Sequence, residues 1–64
     1  MFFIACQFNW SICYLSASLT WHNGAEYIHY FNNLEDCQTV FSAIKSELSN
    51  PELKPRMVIK SVTL

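Results

Sequence analysis

WHNGAEYIHYF, residues 21–31, is the stretch on which the fold turns: two histidines stand among four aromatic residues, with Asn23-Gly24 directly after the first histidine. Asn-Gly is the strongest short hairpin signal, because a type I′ turn needs positive φ at both central residues. With those two residues in the loop, His22 faces Ala25, Trp21 faces Glu26, Thr20 faces Tyr27, Leu19 faces Ile28, Ser18 faces His29 and Ala17 faces Tyr30. Strand alternation then sorts the side chains. Leu15, Ala17, Leu19, Trp21, Ile28 and Tyr30 share one face. Ser16, Ser18, Thr20, His22, Tyr27, His29 and Phe31 share the other.

Working towards the N-terminus, Phe2, Ile4, Cys6, Phe8, Trp10, Ile12 and Tyr14 are apolar, while Gln7, Asn9 and Ser11 between them are polar. A single strand from 2 to 21 would set this row against the Leu15/Leu19 row, and a slip of one residue inverts every side chain. A reversal near NWSI, residues 9–12, removes the conflict. With Trp10-Ser11 or the four residues Asn9 to Ile12 as the loop, Phe8 pairs with Cys13, Cys6 with Leu15, Ile4 with Ala17 and Phe2 with Leu19. All of these join the Leu15/Leu19 face.

Towards the C-terminus, NNLEDCQTVFSAIKSELSNP carries the punctuation of a helix. Asn33 is placed to cap it, and Glu35 and Asp36 suit its positive N-terminal end. Leu34, Cys37, Phe41, Ile44 and Leu48 repeat at helical spacing with Val40 beside them, one apolar stripe. Ser49-Asn50-Pro51 ends the helix, and the β-branched run RMVIKSVTL reads as a last strand. The expected fold is α+β: a three-stranded antiparallel meander, one helix packed on one sheet face, and a final strand. The crossover predicts that the last strand runs parallel to the third, in a mixed sheet.

Sixty-four residues make a single domain, 1–64, near the lower size limit for independent folding. Hydrophobic residues reach 52% and charged residues only 14%, so the chain has more apolar surface than a lone small domain hides easily. Oligomerisation, including a homodimer, or a permanent partner is the expected outlet. A net charge of −1 offers no strong field for nucleic acid or an anionic membrane. Lys54, Arg56 and Lys60 cluster as a small basic patch best explained by a solvated loop and strand. MFFIACQFNWSICYLSAS lacks a basic start, and Gln7, Asn9 and Ser11 interrupt it, so it reads as neither leader nor membrane span. Cys6, Cys13 and Cys37 are odd in number and match no C-x-x-C pattern, which points to buried free thiols in a cytoplasmic protein.

The histidines are not expected to carry chemistry. In the predicted register His22 and His29 lie on one side of the sheet but roughly 13 Å apart, too far to share a metal. The cysteines belong to the opposite face. No metal, cofactor or catalytic group is expected, since a sheet under one helix offers no evident cleft for a nucleophile and its base. Glu26, Glu35, Asp36, Glu47 and Glu52 read as surface. The second sheet face, by contrast, gathers large rings among small hydroxyl side chains with almost no formal charge, the composition of a protein-binding patch. Phe3, Tyr14, Tyr27, His29 and Phe31 are its candidate contact residues. Trp10 adds an exposed anchor at a loop tip, while Trp21 either does the same or caps the core beside Glu26. Three covers for the face stay open: a protein partner, a second copy, or the chain's own last strand or loop. Stacking of single-stranded nucleic acid is disfavoured because the face lacks a cationic groove.

YFNNLEDCQTVFSAIKSEL, residues 30–48, followed by the final strand, resembles small phage and prophage proteins: a strand ending in aromatics, a cap, then a helix beginning Leu-x-x-Cys. The resemblance covers about half the chain and is structural, so it transfers no functional residue, and the long aromatic first hairpin departs from it. It implies a virus or mobile-element origin and stoichiometric blocking of host machinery, as anti-CRISPR and antirestriction proteins do. The functional expectation is a non-enzymatic inhibitor of a host defence or regulatory complex. The alternatives are a small nucleic-acid-binding regulator and a structural subunit whose aromatic face only joins copies.

Overall fold

Alternation in residues 2–8 yields the central strand of the sheet. In the computed structural model, which describes residues 1–63, β1 (Phe2–Phe8) pairs antiparallel with β2 (Ser11–Leu15) on one side and with β4 (Met57–Ser61) on the other. The two-residue β3 (Trp21–His22) extends the sheet beyond β2, giving the order β3-β2-β1-β4. The single helix α1 (Leu34–Glu47) packs against β1 and β4 on one face. The expected α+β architecture holds: meander, helix, final strand.

The first reversal falls one residue earlier than the expected two-residue loop. Asn9 and Trp10 form the loop, Phe8 faces Ser11, and Cys6 faces Cys13 rather than Leu15. Asn9 supplies the left-handed turn residue at φ 52°, a conformation asparagine tolerates better than most. This register differs from the expected one by two residues. An even shift leaves each side chain on its face, so Ile4, Cys6, Phe8 and Leu15 still point towards the helix.

The second reversal is elsewhere altogether. Gly24 is extended at φ −92°, ψ 133°, Asn9 and Leu19 are the non-glycine residues with positive φ among the described residues, and Ala25–Tyr27 wind into a 3-10 turn. The Asn23-Gly24 hairpin does not form. The chain turns back between Ser16 and Thr20 instead, where the Ser16 N–H donates to the Thr20 carbonyl at 2.9 Å and Leu19 takes φ 62°. The cause lies in the hydroxyls. Ser16 Oγ meets Ser18 Oγ and Thr20 Oγ1 at 2.9 Å each, and Thr20 Oγ1 meets His22 Nε2 at 2.8 Å. Such side chains offer the backbone a local alternative to the ladder, and here three of them satisfy one another inside a loop. Leu15 and Trp21 remain paired on the helix side, but Ala17 and Leu19 leave the core, Leu19 with 55% of its surface exposed.

Residues 29–31 then return to the sheet. Where β2 turns away, Phe31 pairs with Phe2 through two hydrogen bonds of 3.0 and 2.7 Å, and the His29 N–H donates to the Leu15 carbonyl at 3.1 Å. This segment runs antiparallel to β1, as β4 does. The crossover therefore brings the last strand back in the same direction as the segment before the helix, but β1 lies between them. Every ladder among the described residues is antiparallel, and the expected mixed sheet does not arise there.

The helix follows its sequence signals closely. Asn33 Oδ1 accepts the Asp36 N–H at 2.8 Å, and Glu35 and Asp36 occupy the first turn. Cys37 is fully buried against Ile4, Cys6, Leu15 and Met57, with Val40, Phe41, Ile44 and Leu48 packed around them. Leu34, expected in the same stripe, is exposed at the helix start. Burial pushes the thiols of Cys6 and Cys37 above the ordinary value of 9.0; for Cys6 the facing Cys13 adds to the effect and Arg56 opposes it. Among the described residues, no buried side-chain nitrogen or oxygen lacks a hydrogen-bond partner.

Candidate functional site: the uncovered sheet face

Side chains of β1 that point away from α1 are Phe3, Ala5 and Gln7. The registers place Ile12 opposite Gln7, Tyr14 opposite Ala5, and His22 opposite Tyr14. On the other flank Val58 stands opposite Ala5 and Lys60 opposite Phe3. Helix α1 packs on the other side, and the 3-10 turn Ala25–Tyr27 touches this one at its β2/β3 end through Tyr27.

Its aromatic part is self-supporting. Phe3 is only 9% exposed although no element lies above it, because Tyr14 and Tyr30 meet its ring edge-on at 5.8 and 5.9 Å. Edge-to-face geometry of this kind adds about 0.5–1.5 kcal/mol per pair beyond area burial. Tyr27 stacks on His22 at 4.3 Å with an interplanar angle of 18° and stays half exposed. Beside the rings Ala5 floors a depression of about 220 Å³, walled by Gln7, Ile12, Val58, Arg56 and Lys60. Ile12 and Val58 are exposed on its walls, and Tyr30, against Phe3, is exposed as well. Trp10, at the tip of the first turn, is 100% exposed and shares a wider cleft with Gln7, Asn9 and Arg56.

The six predicted contact residues therefore divide. Tyr14 and Tyr27 lie on the uncovered face as expected, and Trp10 stands free at its loop tip. Phe3 lies on that face but is sealed beneath the two tyrosines rather than offered to a partner. Phe31 and His29 belong to the other side: Phe31 packs against the core beneath the helix, and His29 lies edge-on to it at 4.7 Å. Tyr30, expected in the core, takes their place. The exchange follows from the missing hairpin, since a 3-10 turn in place of a two-residue loop re-phases residues 29–31. His22 and His29 consequently sit on opposite sides of the sheet, not on one.

The missed residues are Ile12, Tyr30, Val58, Arg56 and Lys60. The last three become part of the face only because β4 docks beside β1, a placement that local patterning does not reveal. Their arrival changes its electrostatics. Two cations now border an apolar floor that had been expected to lack charge.

No group of three or more histidine, cysteine or acidic side chains is arranged to hold a metal ion among the described residues. No helix among them is long and apolar enough to cross a membrane. No protein-family model, curated protein or solved structure matches this chain.

Proposed function

We propose that this chain is a non-enzymatic protein-binding module that acts by occluding a partner's surface with its uncovered sheet face. One observation carries the reading: Ile12, Tyr27, Tyr30 and Val58 are all exposed on the side of the sheet opposite the helix. Clustered apolar surface rimmed by polar groups is characteristic of interaction sites. The partner chemistry that fits is an apolar side chain over Ala5, with a neighbouring carboxylate reaching Arg56 or Lys60. Trp10 would anchor the rim, as loop tryptophans commonly do. The resemblance carried by residues 30–48 supports a narrower assignment, a phage-type inhibitor of a host defence or regulatory complex, working in the host cytoplasm.

The test is a pull-down from host lysate with the native chain and with Ile12→Asp and Tyr27→Ser. Selective loss of one identified protein from both variants, at unchanged melting temperature, is the expected result. Equal recovery from all three chains would remove the face from consideration.

A second reading has a specific observation behind it. Lys60 stands opposite Phe3, whose ring meets Tyr14 and Tyr30, and Arg56 lines the adjoining depression. Cations and aromatic rings thus do share a side, as single-stranded nucleic-acid binding requires. Titration with a single-stranded oligonucleotide at rising salt separates the two: phosphate contacts lose affinity steeply, whereas an apolar patch does not.

A further inference from the structure

We propose that β4 is a homodimerisation strand, pairing antiparallel with β4 of a second copy across a two-fold axis through Ile59. The inference starts from the phase of the backbone. Met1 and Val62 exchange two hydrogen bonds, of 2.9 and 2.7 Å. Phe2 spends its own N–H and C=O on Phe31, on the opposite side. Antiparallel ladders alternate strictly, so Lys60 and Val58 also bond inward to β1, and Met57, Ile59 and Ser61 aim their backbone groups outward. β4 is the end strand of the sheet. The Met57 N–H is consumed by the Lys54 carbonyl, which leaves the Met57 C=O and both groups of Ile59 and Ser61 at the free edge.

A free edge is a pairing template that proteins usually blunt with proline, a bulge, a short strand or lysine. β4 carries one lysine, Lys60, whose charge constrains register rather than closing the edge. Residues 57–61, MVIKS, contain no proline or glycine and are rich in β-branched side chains. Self-pairing can use several registers, and charge selects among them. Centring on Val58 sets Arg56 against Lys60, and centring on Lys60 sets two lysines face to face; like charges directly opposite are destabilising. Centring on Ile59 avoids both. It lets the two Ile59 residues exchange their hydrogen bonds, and each Ser61 N–H donates to the Met57 carbonyl of the other copy. Val58 then lies against the stem of Lys60 of the second copy, on the uncovered face. Each depression over Ala5 thereby gains a lysine from its neighbour, and two such faces become one continuous surface. This dimer rests on the backbone phase and strand charges of β4 and stands independently of the binding function proposed above.

Sedimentation equilibrium on the full chain tests it, with circular dichroism checking that each variant folds. The native chain is expected to show a monomer–dimer equilibrium. Ser61→Pro removes only an outward donor and should abolish it. Val58→Glu and Val58→Lys remove the same apolar side chain but place opposite charges against Lys60 of the second copy. The glutamate variant should dimerise at least about tenfold more tightly than the lysine variant, two pairs being affected per dimer. A native chain that stays monomeric up to millimolar concentration would overturn the proposal. So would a dimer that survives Ser61→Pro and is weakened alike by both Val58 changes, the behaviour of two uncovered faces meeting. Indifference to the charge at position 58 would overturn the Ile59-centred register.

Discussion

Leu19 is the residue most at odds with its surroundings. It holds φ 62° with its side chain more than half exposed, so it bears left-handed strain with little burial in return. That conformation costs an L-residue roughly 1–2 kcal/mol, and asparagine or glycine less. Leu19→Asn should therefore raise stability by about 0.5–1 kcal/mol in a denaturant titration; a loss would mean that Leu19 makes contacts worth more than its strain. Cys37 presents the opposite case, a small thiol with no exposure at the centre of the core. Cys37→Ala should destabilise by about 1–3 kcal/mol through the void it leaves. The same residue ties stability to pH. Its thiol and that of Cys6 are held above 9.0 in the folded chain, so unfolding releases protons once the solution passes that value. Their contribution is complete below the unfolded-state value and declines as pH rises through the folded one. Melting temperatures at pH 8 and pH 10 should thus fall less in Cys37→Ala than in the native chain, and equal declines would rule the thiol out as a cause.

At the scale of elements, legibility follows the range of the forces involved. Helix α1 was readable because its determinants are local: a cap three residues from its partner and a stripe at fixed spacing. Asn33→Ala should accordingly cost about 1 kcal/mol, measurable as a lower denaturation midpoint. The first hairpin was readable in parity but not in register, because apolar alternation distinguishes odd from even and nothing finer. The second departs from its sequence signal for a physical reason. Asn-Gly permits a type I′ turn without demanding one, while Ser16, Ser18 and Thr20 look like the wet side of a strand until their hydroxyls are seen closing on each other. Replacing Ser16 and Thr20 together by valine removes that closure. The pair should lose about 1–3 kcal/mol, chiefly because Ser16 is itself buried in the turn; an unchanged melt would deny the hydroxyls their role.

For the whole molecule, the candidate face was half legible. Tyr14, Tyr27 and Trp10 could be placed from alternation and the turn tip, but Phe31 and Tyr30 exchanged sides with the misplaced turn. Arg56, Val58 and Lys60 depended on a strand pairing across more than fifty positions of chain. One side of the sheet receives the helix and becomes the core; the other receives only rings that cover Phe3. The small core of Ile4, Cys6, Leu15, Cys37 and Met57 is thus supplemented from the far side by Phe3 beneath its tyrosines. Tyr14→Ser should therefore lower both stability and partner affinity, whereas Ile12→Asp should lower affinity alone, a split visible by comparing thermal melts with binding isotherms.

The central position of β1 has a consequence for biosynthesis. A ribosome delivers this strand well before its second neighbour, Met57–Ser61, with the helix made in between. Through the interval one flank of FFIACQF is bare, the most apolar ribbon in the polypeptide. Nascent chains stalled before Met57 should therefore be ready chaperone clients and prone to clump, although they already possess both the first hairpin and the complete helix.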